Sequence, residues 1–274
     1  METRFLHLTD LHLSHPDLAD PHLHSDTHLS LVEMVRRIRD MSPQPDFVVI
    51  SGDLTNQGDV ASYQLLAEIL NGIAPPVFLT LGNHDKRENF RQVFRHLPGL
   101  LADLSAPCFQ STHLGGLKVI ALDTSLPGRV GGGIGEAQFA ALTAELTADV
   151  GIAKLLVMHH PPLIDVSALR WESLDQKQTE ELAKRLAGHH IVGILSGHIH
   201  INRVIHWHNI PVIISNGLHA TIDPTATSGM QIEEGTGYAS CVYRPSGLDC
   251  TFVPLLPRRA ILGHIDTSVL RSFR

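Results

Sequence analysis

Phe47-Val48-Val49-Ile50-Ser51-Gly52-Asp53 is the stretch that decides how the chain folds. An apolar run rich in β-branched residues makes a short buried strand, a glycine breaks it, and an aspartate stands where it ends. The construction recurs along the 274 residues. Phe5 to Thr9 leads to Asp10-Leu11-His12, and Val77 to Leu81 leads to Gly82-Asn83-His84-Asp85. The run from Lys154 delivers His159-His160, and Ile191 to Ser196 delivers Gly197-His198-Ile199-His200. Leu117 to Asp123 reads as one more strand of the same kind.

Between these runs, His28 to Arg39, Val60 to Asn71, Gln138 to Ala148 and Gln176 to Ala187 carry apolar residues at helical spacing. Strands alternating with helices predict an α/β sheet. The last third differs. Val204 to His208, Val212 to Ser215, Tyr238 to Tyr243 and Asp249 to Val253 read as consecutive strands, which predicts a second, more antiparallel sheet. Two sheets with helices outside form a layered sandwich around one shared core. Pro127 to Gly135 and Ile222 to Gly237 read as loops, and neither contains the phosphate-loop pattern.

Composition narrows the function. The apolar fraction of 43% suffices for a core, and a net charge of −7 with a pI near 6.2 argues against a nucleic-acid polymer as partner. No apolar run reaches the roughly 18 residues of a membrane span, and the N-terminus enters a strand directly, so a soluble cytoplasmic protein is expected. Three cysteines, Cys108, Cys241 and Cys250, lack metal-site spacing and are expected as reduced thiols.

The polar clusters supply carboxylate, amide and imidazole groups, the donors suited to Zn, Mn or Fe(II), without cysteine. In extended backbone, residues two apart point the same way, so Asp10 with His12, and His198 with His200, each form a claw. Asp10, Asp53, Asn83, His159 and His198 all follow predicted strands, so one rim of the sheets gathers them. Any one cluster alone has a plain reading as a cap or a turn. Five together, each at a strand end, point to a common cause.

The ordered set D-x-H, G-D, G-N-H-[DE], H and G-H-x-H resembles the calcineurin-like metallophosphoesterase superfamily over about residues 4 to 220. The Ser51 to Asn56 and Met158 to Pro162 versions are most similar to the branch with class III cyclic nucleotide phosphodiesterases and bacterial glycerophosphodiesterases. The resemblance implies a four-layer αββα sandwich of two mixed β-sheets, taken as one domain over 1–274 with C-terminal strands and a tail over about 221–274. It implies two divalent metal ions, Fe, Mn or Zn. Asp10, His12, Asp53 and His200 would hold one, and Asp53, Asn83, His159 and His198 the other, with Asp53 bridging. The resemblance favours His159, with His160 as the alternative, because the family's ligand stands two residues before a proline, as His159 does before Pro161. Asn56 replaces the tyrosine ligand of purple acid phosphatases, and Asn56 and Asp85 break the Ser/Thr phosphatase pattern.

Metals about 3.5 to 4 Å apart clamp the attacking and leaving oxygens of a displacement at phosphorus, with a bridging hydroxide as the expected nucleophile. The expected substrates are small phosphodiesters, cyclic nucleotides or glycerophosphodiesters. The resemblance gives His84 the role of protonating the leaving alkoxide or steadying its charge. Asn56 and His219 are expected substrate contacts, and Asp85, Asp123 and Ser125 expected supports of the ligands. One of His22, His24 and His28 is close enough in chain order to reach substrate; His189, His190, His206 and His208 read as solvated. Assembly as a homo-oligomer is implied by resemblance. A phosphomonoesterase or phosphonate monoesterase on the same metals, or a non-catalytic scaffold, stays open at this point.

Overall fold

The computed structural model describes residues 2–95, 103–165, 172–227 and 229–257. In chain order its elements are β1 (Thr3–Leu8), α1 (Thr27–Asp40), β2 (Phe47–Ser51), α2 (Val60–Leu70), β3 (Val77–Thr80), α3 (Arg87–Val93), β4 (Gln110–Leu114) and β5 (Leu117–Leu122). There follow α4 (Glu136–Ala148), β6 (Lys154–Met158), α5 (Gln176–Leu186), β7 (Ile191–Ser196), β8 (Arg203–Trp207) and β9 (Ile210–Ile214). β10 (Thr221–Ile222), β11 (Ile232–Glu233), β12 (Thr236–Arg244) and β13 (Gly247–Leu256) complete them. The part of the expected tail beyond 257 lies outside the described residues.

Two large mixed sheets result, one in the order β13-β12-β1-β2-β3 and one in the order β4-β5-β6-β7-β9-β8. Apolar alternation explains how they stack. Phe5, Phe47, Val49 and Phe78 of the first sheet meet Val119, Leu155, Val157 and Leu195 of the second. The other face of the first sheet, with Leu6, Leu8, Val48 and Ile50, takes Leu31, Met34 and Ile38 of α1 and Tyr63 and Leu66 of α2. The outer face of the second, with Ile120, Leu156 and Ile194, takes Phe139 and Leu142 of α4 and Leu182 of α5. The layers are therefore αββα, and the apolar core is divided into three layers. Strands such as β2 and β6 are buried on both faces, which is why they read as unbroken apolar runs.

The last third folds otherwise than the sequence predicts. The four strands expected there make no sheet of their own; only the short β10 and β11, read as loop, pair separately. β8 and β9 extend the second sheet, whereas β12 pairs antiparallel with β1, matching Thr3 to Tyr243 and His7 to Ala239. β4 and α3 are missed by periodicity for plain reasons. β4 is a mostly polar edge strand, Gln-Ser-Thr-His-Leu, and α3 is a seven-residue helix without a side-chain cap. The longer helices do announce themselves: Asp26, Asp59 and Asp175 each accept the backbone N–H three residues on. His208 leaves its predicted strand to form, with Asn209, the left-handed turn between β8 and β9. Cys241 and Cys250 are direct partners across β12 and β13 as free thiols, Cys250 S–H donating to Cys241 Sγ at 3.2 Å.

Phe47 is fully buried between the sheets and stacks on Phe5 at 4.9 Å between ring centres. Phe47→Ala is expected to lower unfolding free energy by about 3–5 kcal/mol, measured by urea titration, whereas Val204→Thr on the exposed edge changes it by about 0.5 kcal/mol or less.

Candidate metal centre

Register brings the polar clusters to one rim. β1 and β2 run parallel with Leu8 opposite Ile50, and the pairing continues beyond the strands: Asp10 N–H donates to Gly52 O and His12 N–H to Asp53 O. The two loops therefore climb together. Across the stack, Gly197 N–H donates to His159 O, joining the ends of β6 and β7 in the same way.

The candidate ligand residues do not sit in the extended backbone that pairs them two apart. Asp10, His12, Asp53, His198 and His200 all have φ between 44° and 76°, the left-handed region. Non-glycine residues rarely adopt it, and such strain collects at functional sites. Two glycines make room. A Cβ at Gly82 would collide with the Asp53 carboxylate, and one at Gly197 with Thr9 and the Asp10 carboxylate.

Asp10 and Asp53 are the buried centre. Asp10 Oδ1 lies 3.3 Å from His200 Nε2, 3.8 Å from His12 Nε2 and 3.9 Å from His159 Nε2. Asp53 Oδ2 lies 3.1 Å from His159 Nε2 and 3.5 Å from His12 Nε2. Backbone donors hold both carboxylates in place: His198 N–H reaches the two Asp10 oxygens at 3.1 and 3.0 Å, and His84 N–H reaches Asp53 Oδ1 at 2.9 Å. Burial opposes ionisation of both, but His200, His12 and His159 around Asp10, and His159, His84 and His12 around Asp53, keep the two well below the usual carboxylate range.

The far nitrogens of the rings set their tautomers. His12 Nδ1 donates to Asn56 Oδ1 at 2.7 Å, His159 Nδ1 to Ser51 O at 2.9 Å and His200 Nδ1 to Ala220 O at 2.9 Å. Each Nε2 then presents a lone pair inward. His12 Nε2 and His200 Nε2 face each other at 3.2 Å, and His159 Nε2 faces a carboxylate oxygen without a hydrogen bond. Two facing lone pairs repel, so either a proton, which the raised pKa of His200 favours in the metal-free protein, or a metal ion must lie between the rings. Asn83 Oδ1 is likewise buried without a partner. An oxygen and nitrogen donor set of this kind fits divalent metal ions, and its His and Asp ligand atoms fall in groups within 4.8 Å of one another.

Other residues take places the sequence only partly foretells. His160 has both nitrogens committed, to Thr124 Oγ1 at 2.8 Å and Val130 O at 2.9 Å, so His159 is the ring that reaches the carboxylates. Asn56, expected on substrate, has its amide held at both ends, by His12 and, through Nδ2, by Asp20 at 2.8 Å, though it also lines the cavity. Asp85 clamps the two loops, accepting from Leu54, Thr55 and Gly82 N–H and from Tyr63 O–H. Burial and the nearby Asp53 raise its pKa to about 6. Asp123 and Ser125 bind Arg87 of α3 and lie one step further back.

A cavity of about 320 Å³ opens over the centre, and His84, His219, His22 and His24 line it. His84 is fixed by Nδ1 donating to Asn56 O at 2.8 Å. His219 Nε2 accepts from His24 N–H at 3.0 Å; burial, with His12, His200 and His24 nearby, lowers its pKa to about 3. His28 is exposed on α1, away from the lining residues. Ile222, Met230, Ile232 and Val130 also line the cavity, from segments whose sequence signals loop and whose apolar residues are the one hint of this role.

A family model described as calcineurin-like phosphoesterase matches residues 3–202, and the chain belongs to that family. It is 29% identical over 230 residues to a cAMP/cGMP dual specificity phosphodiesterase of Mycobacterium tuberculosis, covering 82% of this chain and 70% of that one. It is 28% identical to a protein of Arcobacter nitrofigilis named as a probable glycerophosphodiester phosphodiesterase, covering 69% and 68% of the two chains. A dimetal phosphatase from Danio rerio shares the fold with a TM-score of 0.67 at 14% identity, covering 92% and 99%. No helix among the described residues is long and apolar enough to cross a membrane.

Two outcomes follow. Asn56→Ala frees the His12 ring and is expected to weaken Mn²⁺ binding about 10- to 100-fold, read by isothermal titration calorimetry. In the metal-free protein, burial opposes the charged His159 ring, but Asp53 and Asp10 raise its pKa to about 9. That stabilisation is complete below about pH 6.5 and is lost as pH rises through about 9. Melting of the metal-free protein should fall across this window; saturating Mn²⁺ should remove the fall.

Proposed function

We propose that the protein is a metal-dependent phosphodiesterase with a binuclear centre. Asp10, His12, Asp53 and His200 hold one ion and Asp53, Asn83, His159 and His198 the other. One observation carries the reading: a single oxygen, Asp53 Oδ2, is within 3.5 Å of His12 and 3.1 Å of His159, one ring from each set. When bound, two divalent ions would activate water and neutralise charge at phosphorus. Zn, Mn and Fe all suit these ligands.

The remaining chemistry belongs to the chain. His84 donates through Nδ1 to a carbonyl, so the proton it exchanges with substrate is the one on Nε2. Charged, it hands that proton to the departing alkoxide and returns to the neutral ring. Diesters are favoured over monoesters by charge. Asp53 and several His line the cavity, and among the described residues neither Lys nor Arg does so to balance a dianion. Two divalent ions would bring four positive charges, of which Asp10, Asp53 and an activated water would offset about three, leaving about one for a monoanion. The names of the relatives support small cyclic or glycerol-based diesters. A cytoplasmic setting is supported by the three free thiols Cys108, Cys241 and Cys250, and homo-oligomeric assembly by family resemblance.

With Mn²⁺ loaded, bis(p-nitrophenyl) phosphate should be hydrolysed with a higher kcat/KM than p-nitrophenyl phosphate; the reverse order would make the protein a monoesterase. His84→Ala should retain both ions by elemental analysis and lose about 10²- to 10⁴-fold in kcat. An unchanged kcat would remove His84 from the chemistry.

A further inference from the structure

Three of the large apolar side chains most exposed on the surface gather at one place, the mouth of the cavity: Val130 is 54% exposed, Met230 51% and Ile232 43%. Scattered apolar residues on a surface mean little, but a cluster beside a polar centre marks a binding surface. Most of the cluster belongs to the small β10–β11 hairpin. Ile222 and Ile232 are direct cross-strand partners and so share one face, the face that lines the cavity. Thr221 and Glu233 pair on the other face.

The hairpin is held against the metal-binding residues. Ile222 N–H and Thr221 Oγ1 both donate to His200 O, at 3.1 and 3.0 Å, and Asp223 N–H closes the hairpin on Gln231 O at 3.0 Å. The apolar face therefore begins one residue pair away from the floor. Opposing chemistry is absent from this wall: Ile222, Met230, Ile232 and Val130 offer no charge and no side-chain hydrogen bond. His24 adds a ring stacked on His219 at 5.6 Å between centres. A volume of about 320 Å³ leaves room beyond a phosphate group.

We infer that this wall seats a flat, uncharged ring carried by the diester, so that Ile222, Met230, Ile232 and Val130 select nucleoside or aryl diesters over glycerol diesters. Glycerol hydroxyls find no partner on such a surface, whereas a ring loses little solvation and packs on methyl groups and imidazole faces. The inference rests on the diesterase reading above, and its test is arranged to fail separately from it.

The Mn²⁺-loaded protein is compared with the variant Met230→Ser/Ile232→Ser and with Val130→Ser. All three positions are exposed, so the fold should be retained, which circular dichroism checks. By calorimetry, adenosine 5′-monophosphate should bind the wild type at least about tenfold more tightly than glycerol 3-phosphate, and the double variant should lose that difference. In kinetics, the double variant should raise KM for 3′,5′-cyclic AMP and for bis(p-nitrophenyl) phosphate about tenfold with kcat held, and leave kcat/KM for glycerophosphocholine unchanged. Val130→Ser should shift the same quantities in the same direction by less. Equal affinity for the two monoesters in the wild type, or unchanged KM values in the double variant, would overturn the ring seat. So would a change confined to oligomeric state by light scattering, which would make the wall a contact between copies. Absence of diester hydrolysis with ring-selective binding intact would overturn the diesterase reading alone.

Discussion

Two carboxylates buried side by side set the terms for everything around them. Asp10 and Asp53 are removed from water, and among the described residues their ion-pair partners are imidazoles. Burying an isolated anion is expensive, and burying two close together is more so. The fold meets this locally, by aiming the backbone N–H groups of His198 and His84 at the carboxylates and surrounding them with rings that accept protons or cations. Positive charge is thus a requirement of the folded state, and in the metal-free chain protons on His159 and His200 supply part of it.

The scaffold supplies the rigidity this arrangement needs. Five residues of the centre occupy backbone conformations that cost free energy, and they persist because both ends of each loop are pinned. Ladder hydrogen bonds extend past β1 and β2, Asp85 ties the second loop to the third, and the strands beneath are buried on both faces. Local rules are broken at the rim and kept elsewhere, which is where a functional site is expected to differ from its scaffold.

Much of this is readable in the sequence because apolar runs and strand-end motifs are local signals. β2, β6 and β7, with Asp53, His159 and His198 at their ends, are visible in a few consecutive residues. What the sequence leaves out depends on partners far along the chain. Nothing within Tyr238 to Tyr243 says that it pairs with β1, because that choice is made by shape and burial across more than two hundred residues. Nothing near Asn56 in the sequence announces that its amide holds His12 and Asp20 as well as lining the cavity. The resemblance separates His159 from His160 by the place of Pro161, but the anchors of His160 on Thr124 and Val130 are tertiary. The cavity's apolar wall was hidden for the opposite reason: two-residue strands are too short to carry a period.

His200 is gripped from both ends of the same short segment, its ring nitrogen on Ala220 O and its own carbonyl beneath Ile222 and Thr221. A shift of the hairpin is therefore a shift of a ring that faces the carboxylates. By thermodynamic reciprocity, if an occupant of the cavity and a cation beside His200 both bias that hairpin, each changes the affinity for the other by one and the same factor.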